Sequence, residues 1–214
     1  MSAPVKPCGL CLNPAVLQKS HLLPASGYKI VRGGPDEAIR SPIIVTPKKS
    51  FPSDKQITDY FLCRDCEQRF STHGENYVMT QRVQQNGKFP LQELIRTISP
   101  IRNWSEREVY NVSSLLDEKT EQYLYFGASI FWRAAARQSV FSGETTVKID
   151  LGAPYQEDLR LYPLGETEFP SNGRLIVSVS SETEMTDMAL TPRKINDRHE
   201  FYFFGLLFTL VFDK

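Results

Sequence analysis

The chain has 214 residues, 41% of them hydrophobic and 11% aromatic, enough for the core of one large or two small soluble domains. Its longest apolar run, Phe201–Phe212, falls well short of the ~20 residues that a helix needs to span a bilayer. The 25 Lys/Arg and 25 Asp/Glu cancel, which excludes a strongly basic nucleic-acid protein, yet the halves differ. Residues 1–100 carry 13 basic and 8 acidic side chains, residues 101–214 carry 12 and 17, so positive charge gathers in the first half.

That first half holds all four cysteines, as two Cys-x-x-Cys pairs, Cys8/Cys11 and Cys63/Cys66. A two-residue spacer lets two thiolates reach one ion from a tight turn, and two such pairs complete a tetrahedral zinc site. Closing the 51-residue gap between Cys11 and Cys63 costs about 3.5 kcal/mol. Structural zinc returns about 10–16 kcal/mol in small peptides, so the metal outweighs the loop. Two redox dithiols and four ordinary core cysteines are the competing readings. Met1–Pro7 contains no apolar leader, so a reducing compartment, the cytoplasm, is expected, and disulfides are not.

Between the pairs lies Ser20-His21-Leu22-Leu23-Pro24. Pro24, Pro35, Pro42, Pro47 and Pro52 with Gly33-Gly34 argue against helix over 24–56, and Tyr28–Arg32 and Ile43–Thr46 read as short strands of an elaborated hairpin. After Cys66 the pattern turns helical. Glu67, Ser71 and Glu75 recur at i, i+4 and i+8 and share one face, with Phe70, Tyr77 and Val78 free to pack elsewhere. That face suits either a hard-metal site or plain solvation. Gly74 weakens the helix by about 1 kcal/mol, so a break is expected near His73-Gly74, and His73 is a further candidate for metal or phosphate contact.

Knuckle, His-apolar-apolar-Pro, then Leu62-Cys63-x-x-Cys66 running into a helix: this order resembles the four-cysteine branch of the HNH (ββα-metal, His-Me finger) endonucleases. The resemblance covers residues 5 to 80. It implies an α+β fold whose N-terminal module is a zinc-stabilised treble clef, with zinc purely structural. It also implies His21 as general base and a divalent ion, magnesium or manganese, at the scissile phosphate of DNA or RNA. Where the family carries Asp or His, Asn, and His or Asn, this chain has Ser20, Thr58-Asp59 and Glu67. Carboxylates suit magnesium, which makes Asp59, Glu67 and Glu75 the candidate ligands and His21, Asp59 and Glu67 the candidate catalytic set. The same departures fit a zinc module that keeps the scaffold, lacks the chemistry, and binds nucleic acid or a partner protein. Arg32, Arg40, Lys48, Lys49, Arg64 and Arg69 are candidate phosphate contacts.

Downstream, Leu91–Ile98 reads as a short helix stopped by Ser99-Pro100. Ser105-Glu106-Arg107-Glu108 reads as a capping box opening a helical stretch to about Val140. Tyr123–Arg137 within it is too apolar for the surface. Its Arg133 and Arg137, one turn apart, could reach a phosphate or pair locally. From Thr145 the texture is β: Thr145–Leu151, Leu175–Ser180 and Phe201–Phe212, the last a buried strand or strand pair, with a polar loop over Ser181–Asp197. The expected organisation is a zinc module over 1–88, helices over 89–142 and a β-rich part over 143–214, separate from the helices or continuous with them. That last part could contact a protein partner, and a setting in bacterial defence is an analogy drawn from the resemblance. A chain ending just after a hydrophobic run implies an inner last strand or a longer natural protein.

Overall fold

The computed structural model describes residues 2–213 except 34–40, 46–49, 85, 105–106, 112, 138–139, 142–144, 147 and 181–187. It is an α+β structure. Strands β1 (Val5–Pro7) and β2 (Pro14–His21) are followed by helix α1 (Ala25–Val31), the small hairpin β3 (Ile43–Val45) and β4 (Ser50–Pro52), and strand β5 (Thr58–Cys63). The antiparallel order β1-β2-β5 forms the first sheet. Helix α2 (Arg64–Phe70) starts directly at the end of β5 and continues through a π-helical turn (Ser71–Glu75) into α3 (Asn76–Gln81). Then come α4 (Pro90–Ile95), the hairpin β6 (Arg102–Trp104) and β7 (Arg107–Val109), and the long helix α5 (Ser113–Ala136). The chain goes on through β8 (Val140–Phe141), β9 (Thr145–Thr146) and α6 (Ala153–Leu164) to β10 (Gly173–Val179), β11 (Ala189–Ile195), β12 (Arg198–Phe203) and β13 (Leu206–Phe212). These last four make an antiparallel sheet ordered β10-β13-β12-β11.

Helix α5 is the organising element. Trp132 packs on Phe61 of β5 at 5.3 Å and on Phe70 of α2 at 6.0 Å between ring centroids. On the C-terminal sheet, Phe126 meets Phe201, Phe203 and Phe208, and Phe131 meets Phe201. One buried cluster therefore runs from Cys8 and Leu10 through α5 to Phe208 and Leu210. Burial at about 25 cal/mol per Å² of apolar surface makes this cluster the main stabilising contribution.

The apolar run at 201–212 is a strand pair. Phe204 and Gly205, with φ of 47° and 90°, form its two-residue turn, the positive-φ pattern that suits the twist of a tight hairpin. The inner position of β13 accounts for its nearly continuous apolar texture, broken only by Thr209.

Several sequence expectations are corrected. Tyr28–Arg32 is not a strand: Tyr28 to Val31 lie in α1, which follows the N-cap Pro24 and runs through a proline-free interval, with Gly27 buried against the Phe204 ring. No break occurs at Gly74. A Cβ there would stand 2.9 Å from the Phe126 backbone nitrogen, so Gly74 serves a close crossing with α5, and the helix absorbs the strain as a π turn. Of the expected capping box, Ser105 and Glu106 lie outside the described residues, while Arg107 and Glu108 belong to a strand; the helix begins later, at Ser113.

Helix α6 was hidden inside the stretch read as β. Gly152 (φ 83°) precedes it, a proline occupies its first turn, and left-handed Gly165 closes it. Part of the expected polar loop is strand β11. As an edge strand with a register shift between Leu190 and Arg193 it tolerates Pro192, and its polar side chains hid the ladder. Residues 181–187 of that loop lie outside the described residues.

Candidate functional site

The first knuckle, Cys8-Gly9-Leu10-Cys11, is a tight turn between β1 and β2, closed by Cys8 N–H to Asn13 O (2.9 Å) and Leu12 N–H to Cys8 O (2.9 Å). Gly9 lies against the Phe61 ring, where a Cβ would come within 2.3 Å. The second knuckle is the strand-to-helix junction itself: Cys63 ends β5 and Cys66 sits in the first turn of α2. All four thiols are free, and their sulfurs lie within 4.8 Å of one another, with Cys11 and Cys63 4.0 Å apart. Tetrahedral coordination at about 2.3 Å per sulfur would need separations of roughly 3.8 Å, so the donor set fits one structural metal ion. The hydrogen bond from Cys66 pulls the Cys8 thiol down to about 4, while the same bond pushes Cys66 up and burial raises Cys11.

His21 is the last residue of β2. Strand pairing sets it opposite Thr58, and Ser20 opposite Asp59. Its Nε2 lies 2.6 Å from Gln56 Oε1, and its ring rests 5.7 Å from that of Tyr28. With the amide oxygen accepting from Nε2–H, the basic lone pair is on Nδ1. His21 opens into a polar cleft of about 490 Å³ whose charged lining is Lys19, Arg64, Glu67, Glu75 and Arg133.

Glu67, Ser71 and Glu75 all line this cleft, so the predicted shared face survives the π turn. Oε1 of Glu67 is buried with no hydrogen-bond partner among the described residues. Glu75 is engaged: Arg133 Nη2 donates to its Oε1 at 2.6 Å. Asp59 is not part of the cleft lining. Among the described residues, the four cysteines alone form a metal-sized group of three or more His, Cys, Asp or Glu; His21, Glu67 and Glu75 do not converge in that way. His73 lies elsewhere, its Nδ1 2.9 Å from Arg69 O and its ring stacked on Tyr125.

Of the candidate phosphate contacts, Arg64 lines the cleft, Arg32 pairs with Asp54 at 3.2 Å, and Arg69 donates to Leu164 O at 3.3 Å. Arg40, Lys48 and Lys49 lie outside the described residues. Arg133, in the last turn of α5, and Arg137, directly after it, are each 1% exposed and face inward. Arg133 Nη1 donates to His21 O (3.0 Å), its Nε to Ser129 O (3.3 Å), and its guanidinium covers the Phe70 ring at 4.8 Å. Arg137 Nη2 donates to Ser20 O. Burial, with Arg133 nearby, lowers Arg137 to about 10, and the charges of Asp59 and Glu67 oppose the shift.

Gln56 was missed because it sits in a polar loop segment with no periodicity. The arginines were visible at helical spacing, but nothing in the sequence showed that they point at the histidine strand. Comparison with protein-family models, curated proteins and solved structures finds no match for this chain.

Proposed function

We propose that this chain is a zinc-supported phosphodiesterase of the HNH kind, cutting DNA or RNA with His21 as general base. The observation that carries the reading is His21 itself: a histidine at the end of a hairpin strand, its Nε2 tied to an amide oxygen, open to a cleft that Lys19, Arg64 and Glu67 also line. The sheet β1-β2-β5, the two knuckles and α2 support the reading of a treble-clef, ββα-metal module, and the four-cysteine cluster is the proposed zinc site. Four protein thiolates leave zinc no open position, so its contribution is to the fold alone.

The chemistry asked of the protein is modest. His21 accepts a proton from water as the water oxygen bonds to phosphorus and the bond to the leaving oxygen breaks. Gln56 holds the imidazole in the tautomer that can accept. Lys19 and Arg64 supply positive charge for a phosphate backbone. Bound magnesium or manganese would supply charge neutralisation at the phosphate, and Glu67, with a buried unpaired oxygen, is the carboxylate best suited to hold it.

A second reading has its own support. Glu75 is paired with Arg133 and Asp59 lies off the cleft lining, so a non-catalytic zinc module that binds nucleic acid through Lys19 and Arg64 of the same cleft is the alternative. One experiment separates them: incubate the parent and His21→Ala with DNA and RNA, with magnesium or manganese. Cleavage by the parent alone supports the nuclease; binding without cleavage by either protein supports the module.

A further inference from the structure

We infer that Arg133 and Arg137 are positioning residues that fix the backbone of His21, so that the C-terminal half of the chain sets the aim of the imidazole. This rests on His21 being the working group of the cleft.

The argument begins with what the two arginines cost. Each is 1% exposed, Arg133 in the last turn of α5 and Arg137 just after it, beside the buried Phe131, Trp132, Ala134 and Ala135. An apolar side chain would pack there without desolvating a charge. Arg137 retains little in compensation: its Nε and Nη1 are buried with no partner among the described residues. Its ring contact, Phe61 at 5.5 Å, is one that a neutral side chain could also make. What only a long cation provides here is its hydrogen bond to Ser20 O.

The two acceptors make the case specific. Ser20 O belongs to the peptide unit before the His21 Cα, and His21 O belongs to the unit after it. Peptide units are planar, so a residue's conformation is set by the two rotations joining them. Holding both units fixes φ and ψ of His21 and with them the direction of its Cα–Cβ bond. Gln56 then fixes the ring. Arg133 is in the last turn of α5 and Arg137 directly follows the helix, its N–H bonded to Arg133 O at 3.2 Å, so the two are one turn apart and their guanidiniums meet consecutive carbonyls. Arg133 is in turn braced by Glu75 and by the Ser129 hydroxyl at 3.2 Å. Helix α5 is seated on the C-terminal sheet through Phe126 and Phe131. Glu75 accordingly serves as a brace for Arg133 and not as an ion ligand.

The test uses the full metal-loaded chain and the variants Arg133→Lys and Arg137→Lys, read by imidazole nitrogen spectra, with His21→Ala assigning the signal. The expected result is that both variants keep their metal and cooperative unfolding while the His21 ring signals shift or broaden. Where cleavage is measurable, kcat should fall by about 10²-fold, the scale of an ångström misplacement, with KM nearly constant. Folded variants whose His21 signals coincide with the parent's would overturn the inference. If the lysine variants fail to fold, Ser129→Ala, which removes one brace of Arg133, replaces them under the same criterion. A parent that cleaves nothing removes the nuclease reading, and the spectra still decide the positioning role.

Discussion

Gln56 and His21 meet across the mouth of the β2–β5 hairpin, Oε1 to Nε2 at 2.6 Å, from segments 35 residues apart in the chain. The contact selects one tautomer of the imidazole and leaves the other nitrogen able to accept a proton. We predict that Gln56→Leu lowers cleavage by about 10–100-fold, the usual scale for a group that orients a functional histidine. Thermal stability should change little, since the pair is only part-buried. Unaltered turnover in a folded variant would show that His21 needs no such partner.

His21→Ala should lower the rate by at least about 10²–10⁴-fold, the contribution of a general base. Metal content should stay at the parent's value, because the four sulfurs come from other parts of the hairpin and α2. A sharp fall in melting temperature would instead mark His21 as a packing residue, held for its contacts with Tyr28 and Gln56.

What the sequence disclosed depended on how local each signal was. The knuckles were legible because Cys-x-x-Cys spacing encodes its own geometry, and the face shared by Glu67, Ser71 and Glu75 was legible from helical periodicity. The strand pair at 201–212 showed in its apolar run. The engagement of Glu75 by Arg133 was not legible, since it joins residues 58 apart in the chain through tertiary packing. Helix α1 and helix α6 were masked by their neighbourhoods: one by surrounding prolines, the other by a β-textured preface. In both, the boundary residues Pro24, Gly152 and Gly165 held the signal that the interior did not.

For the four-cysteine site we predict about one zinc per chain in freshly purified protein. Replacing any one of Cys8, Cys11, Cys63 or Cys66 by Ser should lose the metal and lower the melting temperature sharply, because metal binding here is coupled to folding. Elemental analysis and thermal denaturation check both parts. Folded protein free of zinc would return the cysteines to an ordinary core role.

Gly74→Ala sets two effects of opposite sign against each other. Helix propensity favours Ala by about 1 kcal/mol. The new methyl would meet backbone atoms of α5, Phe126 N at 2.9 Å and Gln122 O at 3.1 Å, which cannot swing aside as a side chain can. Overpacking of this kind costs about 1–3 kcal/mol, so the net expectation is destabilisation. The denaturation midpoint decides it, and a variant more stable than the parent would mean that α5 and the π turn separate at little cost.

The last prediction concerns acid. His199 of β12 is buried, its Nε2 donates to Asp150 O at 3.0 Å, and its Nδ1 is buried without a partner among the described residues. A second proton would have to sit on Nδ1 with no acceptor, in a desolvated position that Lys194 disfavours further. Burial chiefly, then Lys194, lowers the folded pKa below the ordinary histidine value of 6.5, against the pull of Asp150. Between that lowered value and 6.5 the unfolded chain binds more protons than the folded one. Stability must then rise with pH, and it is lost as pH falls through 6.5 toward the folded value. His199→Gln keeps a donor for Asp150 O but has nothing to protonate. Melting temperatures measured from pH 7.5 to 5.5, above the carboxylate range, should fall more steeply for the parent than for this variant. Metal release on acidification affects both proteins, so the difference in slope isolates His199. Parallel slopes would mean that His199 is protonated in the folded chain at no cost, with an acceptor at Nδ1 other than the described residues.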